Sequence, residues 1–248
     1  MEFLTHTKVN LSNQAVQEKL PDGEDEPVIM LPLEKRLSWK YGKARTLNKD
    51  IRLLLISDTH GSLWEKEEEL QKASEYPYDI CVLLGDHEFD DIDYVLDYIP
   101  KEKLYGVLGN HDRDWITKYG IHSLHGKIIE VNGVRILGCG GSSKYKDGVY
   151  PSFTQKESKE FFRHMPCADI LISHDAGLDK AKIRPCGFHD VAHTGLIGIT
   201  EYLFRNNVPL HIHGHNHEEY MYKFFNGTTE LSLDKCGIAT VNGRDFYP

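Results

Sequence analysis

Between residues 51 and 233 short apolar runs alternate with amphipathic segments. Ile51–Ile56 is an unbroken apolar-rich stretch that ends at Ser57-Asp58, the pattern of a strand buried on both faces. Glu and Lys then recur at helical spacing over Trp64–Ala73, and Asp79–Leu84 repeats the buried-strand pattern. Asp91–Ile99 predicts a helix that Pro100 stops, and Leu104–Leu108 a third strand. Such alternation predicts βαβ units, whose ligands collect at the carboxyl ends of the strands.

Farther along, Lys127–Val131 and Val134–Gly138 flank Asn132-Gly133, a pair suited to the type I′ turn of a β-hairpin. Thr154–His164 predicts a helix, Ala168–Ser173 a strand, Leu196–Arg205 a helix and Pro209–His213 a strand. Tyr220–Phe225 and Thr228–Leu233 flank Asn226-Gly227, a second hairpin signal. The first 50 residues have a different texture. They are polar and aperiodic, with an acidic stretch at Asp22–Glu26 and basic residues from Lys35 to Lys49. The expected organisation is a polar extension over 1–50, packed on a main domain over 51–248.

Acidic residues outnumber basic ones by 38 to 29, for a net charge of -9, which argues against nucleic-acid or anionic-membrane partners. An anionic substrate stays open, because bound cations reverse the local charge. The five cysteines (Cys81, Cys139, Cys167, Cys186 and Cys236) form no C-x-x-C pair and fit buried thiols in a reducing compartment. With no leader pattern at the N-terminus and no membrane-length apolar run, the expected location is cytoplasmic.

The residues that follow each apolar run carry the chemistry. Asp58-Thr59-His60-Gly61 follows the first strand and Gly85-Asp86 the second. Gly109-Asn110-His111-Asp112 follows the third, Ser173-His174-Asp175 the next, and His213-Gly214-His215-Asn216-His217 the last. Each piece alone is an ordinary polar turn. Five strand ends in succession, each delivering Asp, Asn or His, form a ligand set for Mn, Fe, Ni or Zn.

Asp58-x-His60, Gly85-Asp86, Gly109-Asn110-His111-Asp112, His174 and Gly214-His215-x-His217 together resemble the signature of the calcineurin-like metallophosphoesterases. The resemblance spans about Ile51 to Val241 and implies an α/β fold, a four-layer αββα sandwich of two mixed β-sheets flanked by helices. It implies two divalent metal ions, Mn foremost and Fe, Ni or Zn otherwise. Asp58, His60, Asp86 and His217 would hold one ion, and Asp86, Asn110, His174 and His215 the other. A water shared by the two ions would attack phosphorus as hydroxide. His111 would act as general acid or phosphate contact, and Asp112 would orient its ring.

The sequence departs from the family pattern where an acidic residue often stands three positions after the bridging aspartate. Phe89 occupies that position, and Glu88 or Asp90 is a candidate to replace it. The arginines of the phosphoprotein-phosphatase branch are also missing. Asp190–Gly195 resembles an H-x-G segment of small phosphodiesterase-like members, which makes His193 a candidate phosphate contact; the competing reading is that Thr194 caps the next helix. His87, His122, His125, His189, His211 and His213 receive no role, the last two being expected on the core or a sheet face. The leading function is hydrolysis of a small phosphodiester. A phosphomonoesterase is the alternative, with a nuclease or a catalytically silent scaffold behind it.

Overall fold

A computed structural model describes residues 33–148, 151–178 and 191–242. The acidic stretch at Asp22–Glu26, the N-terminal segment read for a leader, Cys186, His189 and Asp190 lie outside the described residues.

Two sheets form the centre. In the first, β1 (Arg52–Ser57), β2 (Ile80–Leu83), β3 (Leu104–Gly106) and β4 (His122–Ser123) run parallel, and β13 (Gly237–Asn242) closes the β1 edge antiparallel. In the second, β6 (Val134–Cys139), β9 (Ile170–Ser173), β10 (Leu210–His213) and β12 (Thr229–Ser232) run parallel. β5 (Ile128–Val131) and β11 (Tyr220–Lys223) flank them as antiparallel edges. A small ladder, β7 (Ser142–Ser143) with β8 (Ser152–Phe153), stands apart.

The continuous apolar strands follow from two buried faces. Leu53 and Leu55 of β1 join Val82, Ile136, Ile172 and Ile212 in a core between the sheets. Leu54 and Ile56, alternating with them, face outward into a second core. That core is filled from α2 (Glu67–Glu75) by Leu70, from α3 (Phe89–Tyr98) by Ile92 and Val95, and from α4 (Trp115–Tyr119) by Trp115. On the far side Leu137 and Leu171 meet Phe162 of α5 (Gln155–Arg163) and Ile199, Tyr202 and Leu203 of α6 (Ile197–Arg205). The order helices, sheet, sheet, helices is the four-layer αββα sandwich that the resemblance implied.

Local signals explain several element boundaries. Thr154 caps α5 by accepting from the Glu157 amide at 3.2 Å, while Glu157 returns the contact to the Thr154 amide at 2.8 Å. The β5–β6 hairpin pairs Val131 with Val134 across Asn132 (φ 51°) and Gly133 (φ 75°), both left-handed as a type I′ turn requires. The second hairpin is built differently. Its pairing ends at Lys223 and Thr229, and Phe224 bonds to Thr228 around a three-residue loop in which Gly227 alone is left-handed (φ 95°). Asn226 is buried there, its side chain accepting from the Thr228 amide at 3.0 Å, so the turn forms over Phe225–Gly227.

Residues 33–50 differ from the aperiodic reading. Leu33–Tyr41 forms a helix, α1, whose Leu37 and Tyr41 pack on the α5–α6 core. Arg45 pairs with Asp169 at 2.6 Å, and the Ala44 amide bonds to the Asn226 carbonyl at 2.8 Å. A stripe of only two apolar side chains among charged ones is a weak periodic signal.

Candidate metal centre

β1, β2 and β3 in one sheet, and β9 and β10 in the other, point their carboxyl ends at the same edge of the sandwich. Within each sheet the loops beyond neighbouring strands are bonded to one another. Amide Asp58 bonds to Gly85 O at 3.0 Å, amide His60 to Asp86 O at 3.0 Å, and amide Gly214 to His174 O at 3.1 Å. The Asp58 carboxylate accepts from the His215 amide at 3.0 Å and from the Ser57 hydroxyl, tying the β10 loop to the β1 loop.

Five of these residues share a backbone feature. Asp58 (φ 50°), His60 (φ 47°), Asp86 (φ 58°), His215 (φ 63°) and His217 (φ 51°) are all left-handed. That conformation costs a non-glycine residue on the order of 1–3 kcal/mol and is stored where side chains must be aimed. Asp and His tolerate it better than most types, so the metal-ligating alphabet also suits the turn. Gly109 and Gly214 complete the geometry. A Cβ on Gly109 would stand 2.1 Å from Asp86 Oδ1, and one on Gly214 would stand 2.2 Å from Asp58 Oδ2. Both motif glycines are therefore required by the close approach of a carboxylate.

The donors fall into two clusters. Asp58, His60 and His217 offer atoms within 4.8 Å of one another, and so do Asp86, His174 and His215. His217 Nε2 lies 3.4 Å from Asp58 Oδ1 and 3.2 Å from His60 Nε2. In the second cluster His174 Nε2 lies 3.0 Å from Asn110 Oδ1 and 3.5 Å from Asp86 Oδ2. Asp86 Oδ2 also lies 3.8 Å from His60 Nε2, between the two clusters. It is buried without a hydrogen-bond partner, whereas Oδ1 accepts the His111 amide at 2.9 Å. A buried orphan carboxylate oxygen is costly, and a bound cation would remove that cost. The donor set thus fits divalent metal ions.

Backbone carbonyls orient the rings. His174 Nδ1 donates to Leu84 O at 2.8 Å, which turns Nε2 toward Asn110 and Asp86, and His215 Nε2 donates to Ala192 O at 2.9 Å, which leaves Nδ1 as the ligating nitrogen. Burial holds His215 down at about 4 and lowers His60, so both are neutral at pH 7. Burial opposes charge on His174 too, yet the Asp86 carboxylate beside it lifts it to about 10. Asp86 answers in the opposite direction. Burial raises it, but the His174 charge outweighs that and holds it well below the carboxylate range.

Asp112 corrects the sequence reading. Its oxygens accept the amides of Gly109 (2.6 Å), His87 (2.6 Å) and Asp86 (2.9 Å), and none of its hydrogen bonds reaches the His111 ring. With both oxygens committed to backbone, Asp112 clamps the β2 and β3 loops together. Burial and the Asp86 charge push it up to about 7 against the pull of those amides. Exposed His111 stands with its ring 5.8 Å from that of His60, on the open side of the centre. His193 lies on the other flank, its ring 4.6 Å from His215 and 6.4 Å from His217. Thr194 does not cap α6, whose N-cap is Leu196; its hydroxyl donates to Ser143 at 3.2 Å.

Neither Glu88 nor Asp90 replaces the missing acidic residue. Exposed Glu88 pairs with Arg113 at 2.8 Å. The buried carboxylate is Asp91, five positions beyond Asp86, which sequence reasoning missed. It accepts from Thr59 Oγ1 at 2.6 Å and from the amides of Gly61 (2.8 Å), Glu88 (2.9 Å) and Leu63 (3.1 Å). One side chain thereby fixes the loop that carries Asp58 and His60. An aspartate in the first turn of a helix was its only sequence signal.

The model of the calcineurin-like phosphoesterase superfamily domain matches residues 51–229, and the chain belongs to that superfamily of metal-dependent phosphoester hydrolases. An uncharacterized protein of Haemophilus influenzae is 24% identical over 212 residues, covering 69% of this chain and 85% of the relative. Solved structures share the fold. A dimetal phosphatase from Danio rerio superposes with a TM-score of 0.53 at 13% identity, over 78% of this chain and 92% of that one. Phosphopantetheinyl hydrolase from Mycobacterium tuberculosis gives 0.51 at 15% identity, over 75% and 90%. Among the described residues no helix is long and apolar enough to cross a membrane, and Cys81, Cys139, Cys167 and Cys236 are free thiols.

Proposed function

We propose that the chain is a dinuclear metal-dependent phosphodiesterase acting on a small phosphorylated molecule. Asp58, His60, Asp86 and His217 hold one cation, and Asp86, Asn110, His174 and His215 hold the other, with manganese the preferred metal. The observation that carries this reading is Asp86 Oδ2, buried, unpartnered and placed between the two donor clusters. When bound, two divalent cations polarise the phosphoryl oxygens and acidify water enough to attack phosphorus at neutral pH.

The protein's own groups do the rest. Asn110 adds a neutral oxygen, which limits the negative charge around the cations. His111, exposed and fixed through its amide to Asp86, donates a proton to the leaving oxygen. Asp112 holds the His111 loop by its backbone, so it positions that histidine without touching its ring. His193 contacts a non-bridging phosphate oxygen from the opposite flank. The catalytic domain in this reading runs over 51–248, with 1–50 as an extension. The free thiols suit a reducing compartment, and the protein is cytoplasmic.

The test is a panel of cyclic nucleotides, bis-p-nitrophenyl phosphate and p-nitrophenyl phosphate, assayed after chelation and after adding Mn, Fe, Ni or Zn. Diester turnover that needs added metal and exceeds monoester turnover supports the proposal. Preference for the monoester would make the chain a phosphatase, and undiminished turnover without metal would end the dinuclear reading.

A further inference from the structure

A third set of donors is buried on the helix-facing side of the six-stranded sheet. β10 and β12 run parallel with His211 opposite Glu230 and His213 opposite Ser232, all four fully buried. Leu210 and Ile212, which alternate with the histidines, face the core between the sheets. Ion pairs among the described residues give Glu230 no lysine or arginine. Its partners are His211 Nδ1 at 3.0 Å and His213 Nε2 at 3.6 Å. A buried carboxylate must have its charge compensated.

Ser173 donates its single hydroxyl hydrogen to the Asp175 carbonyl at 2.7 Å, so its contact with His211 Nε2 at 2.6 Å is one it accepts. The proton of neutral His211 therefore sits on Nε2. His213 Nδ1 lies 2.9 Å from the Gly214 carbonyl, which only accepts, so its proton sits on Nδ1. Both rings turn unprotonated nitrogens toward Glu230. The Tyr220 hydroxyl has one hydrogen for two acceptors, His213 Nε2 at 3.2 Å and Glu230 Oε1 at 3.3 Å. Ser232 Oγ, on the same face as Glu230, is buried without a partner. Carbonyls turn His174 and His215 in the same manner at the main centre.

We propose that His211, His213 and Glu230 form a separate cation site, with the Tyr220 hydroxyl as fourth donor. Two imidazoles and a carboxylate suit a borderline divalent ion such as Zn2+. His213 Nε2, the Tyr220 hydroxyl and Glu230 Oε1 stand 3.2, 3.3 and 3.6 Å apart, near the roughly 3.3 Å expected of a tetrahedral ion with bonds of about 2.0 Å, and His211 Nδ1 lies 3.0 Å from the other carboxylate oxygen, Oε2. His211, His213 and Glu230 are fully buried and Tyr220 is partly buried, so the ion serves structure. It pins β12 to β10, the strand that leads into His215 and His217.

Zinc-loaded crystals of the full chain, with anomalous diffraction measured at the zinc edge, test this directly. The expected result is a peak enclosed by His211 Nδ1, His213 Nε2 and Glu230, apart from any peak at Asp86. Elemental analysis of Glu230→Gln, checked for folding by circular dichroism, should then find one zinc per chain fewer than in the unaltered protein. No peak at this cluster in zinc-loaded crystals would overturn the site and leave a proton shared by His211 and Glu230 as the compensating charge. That outcome is distinguishable from a failure at the main centre, which would show as missing peaks around Asp86.

Discussion

Replacing Gly109 by alanine perturbs the proposed centre through one methyl group. The added Cβ would lie 2.1 Å from Asp86 Oδ1, 2.6 Å from the Asp86 amide and 2.7 Å from its carboxyl carbon. Contacts under 3.0 Å do not persist, so the carboxylate has to move by about 0.9 Å, the difference between 3.0 and 2.1. Metal–ligand distances tolerate only about 0.2 Å. The shift also breaks the His111 amide bond to Oδ1 and strains the Asp112 clamp. Metal affinity should fall by at least the roughly 10–100-fold that follows loss of a supporting contact. Overpacking costs about 1–3 kcal/mol, which lowers the melting temperature of the chelated protein by about 2–12 °C. Metal titration monitored by calorimetry, with a thermal melt of the chelated form, measures both effects. A Gly109→Ala protein that bound metal as tightly as the parent would refute the claim that Asp86 is fixed by that close approach.

Three further outcomes follow from the same geometry. His111→Ala should keep its full metal content while turnover falls by about two to four decades, read by elemental analysis beside a steady-state assay; loss of metal would make His111 a ligand instead. His174, lifted to about 10 in the absence of metal, must give up its proton to serve as a ligand, so metal binding at pH 7 should release about one proton from it. A folded-state pKa above the unfolded value of 6.5 stabilises fully below about pH 6.5, and that contribution disappears as pH rises toward 10. Calorimetry in buffers of different ionisation enthalpy, and melts of the chelated protein from pH 6 to 10, check the two statements; no proton release would contradict the assignment.

The fold was legible wherever both faces of a strand are buried. Leu53–Ile56, Cys81–Leu83 and Ile170–Ile172 are apolar at every position because inner and outer cores claim alternate residues. The left-handed loops after them had to be polar, so the clustered Asp, Asn and His residues stood out against the strands. β13 was missed because it is an edge strand of mixed character, Gly-Ile-Ala-Thr-Val-Asn, placed beside β1 only by long-range pairing. The roles of Asp112 and Asp91 depend on backbone amides of other loops, which no spacing encodes. His211 and His213 looked like sheet residues for the same reason. Glu230, the group they face, arrives from a strand 17 residues beyond His213.

In the proposed centre Asp86 serves two cations at once. Asp86→Ala removes a ligand from each, so metal content at saturation, measured by elemental analysis, should fall toward zero at the main centre. Asn110→Ala, which takes one neutral ligand from one cation, should keep the Asp58, His60 and His217 cation when metal is limiting. An Asp86→Ala protein that still held two metals at the main centre, located by anomalous diffraction, would contradict the account.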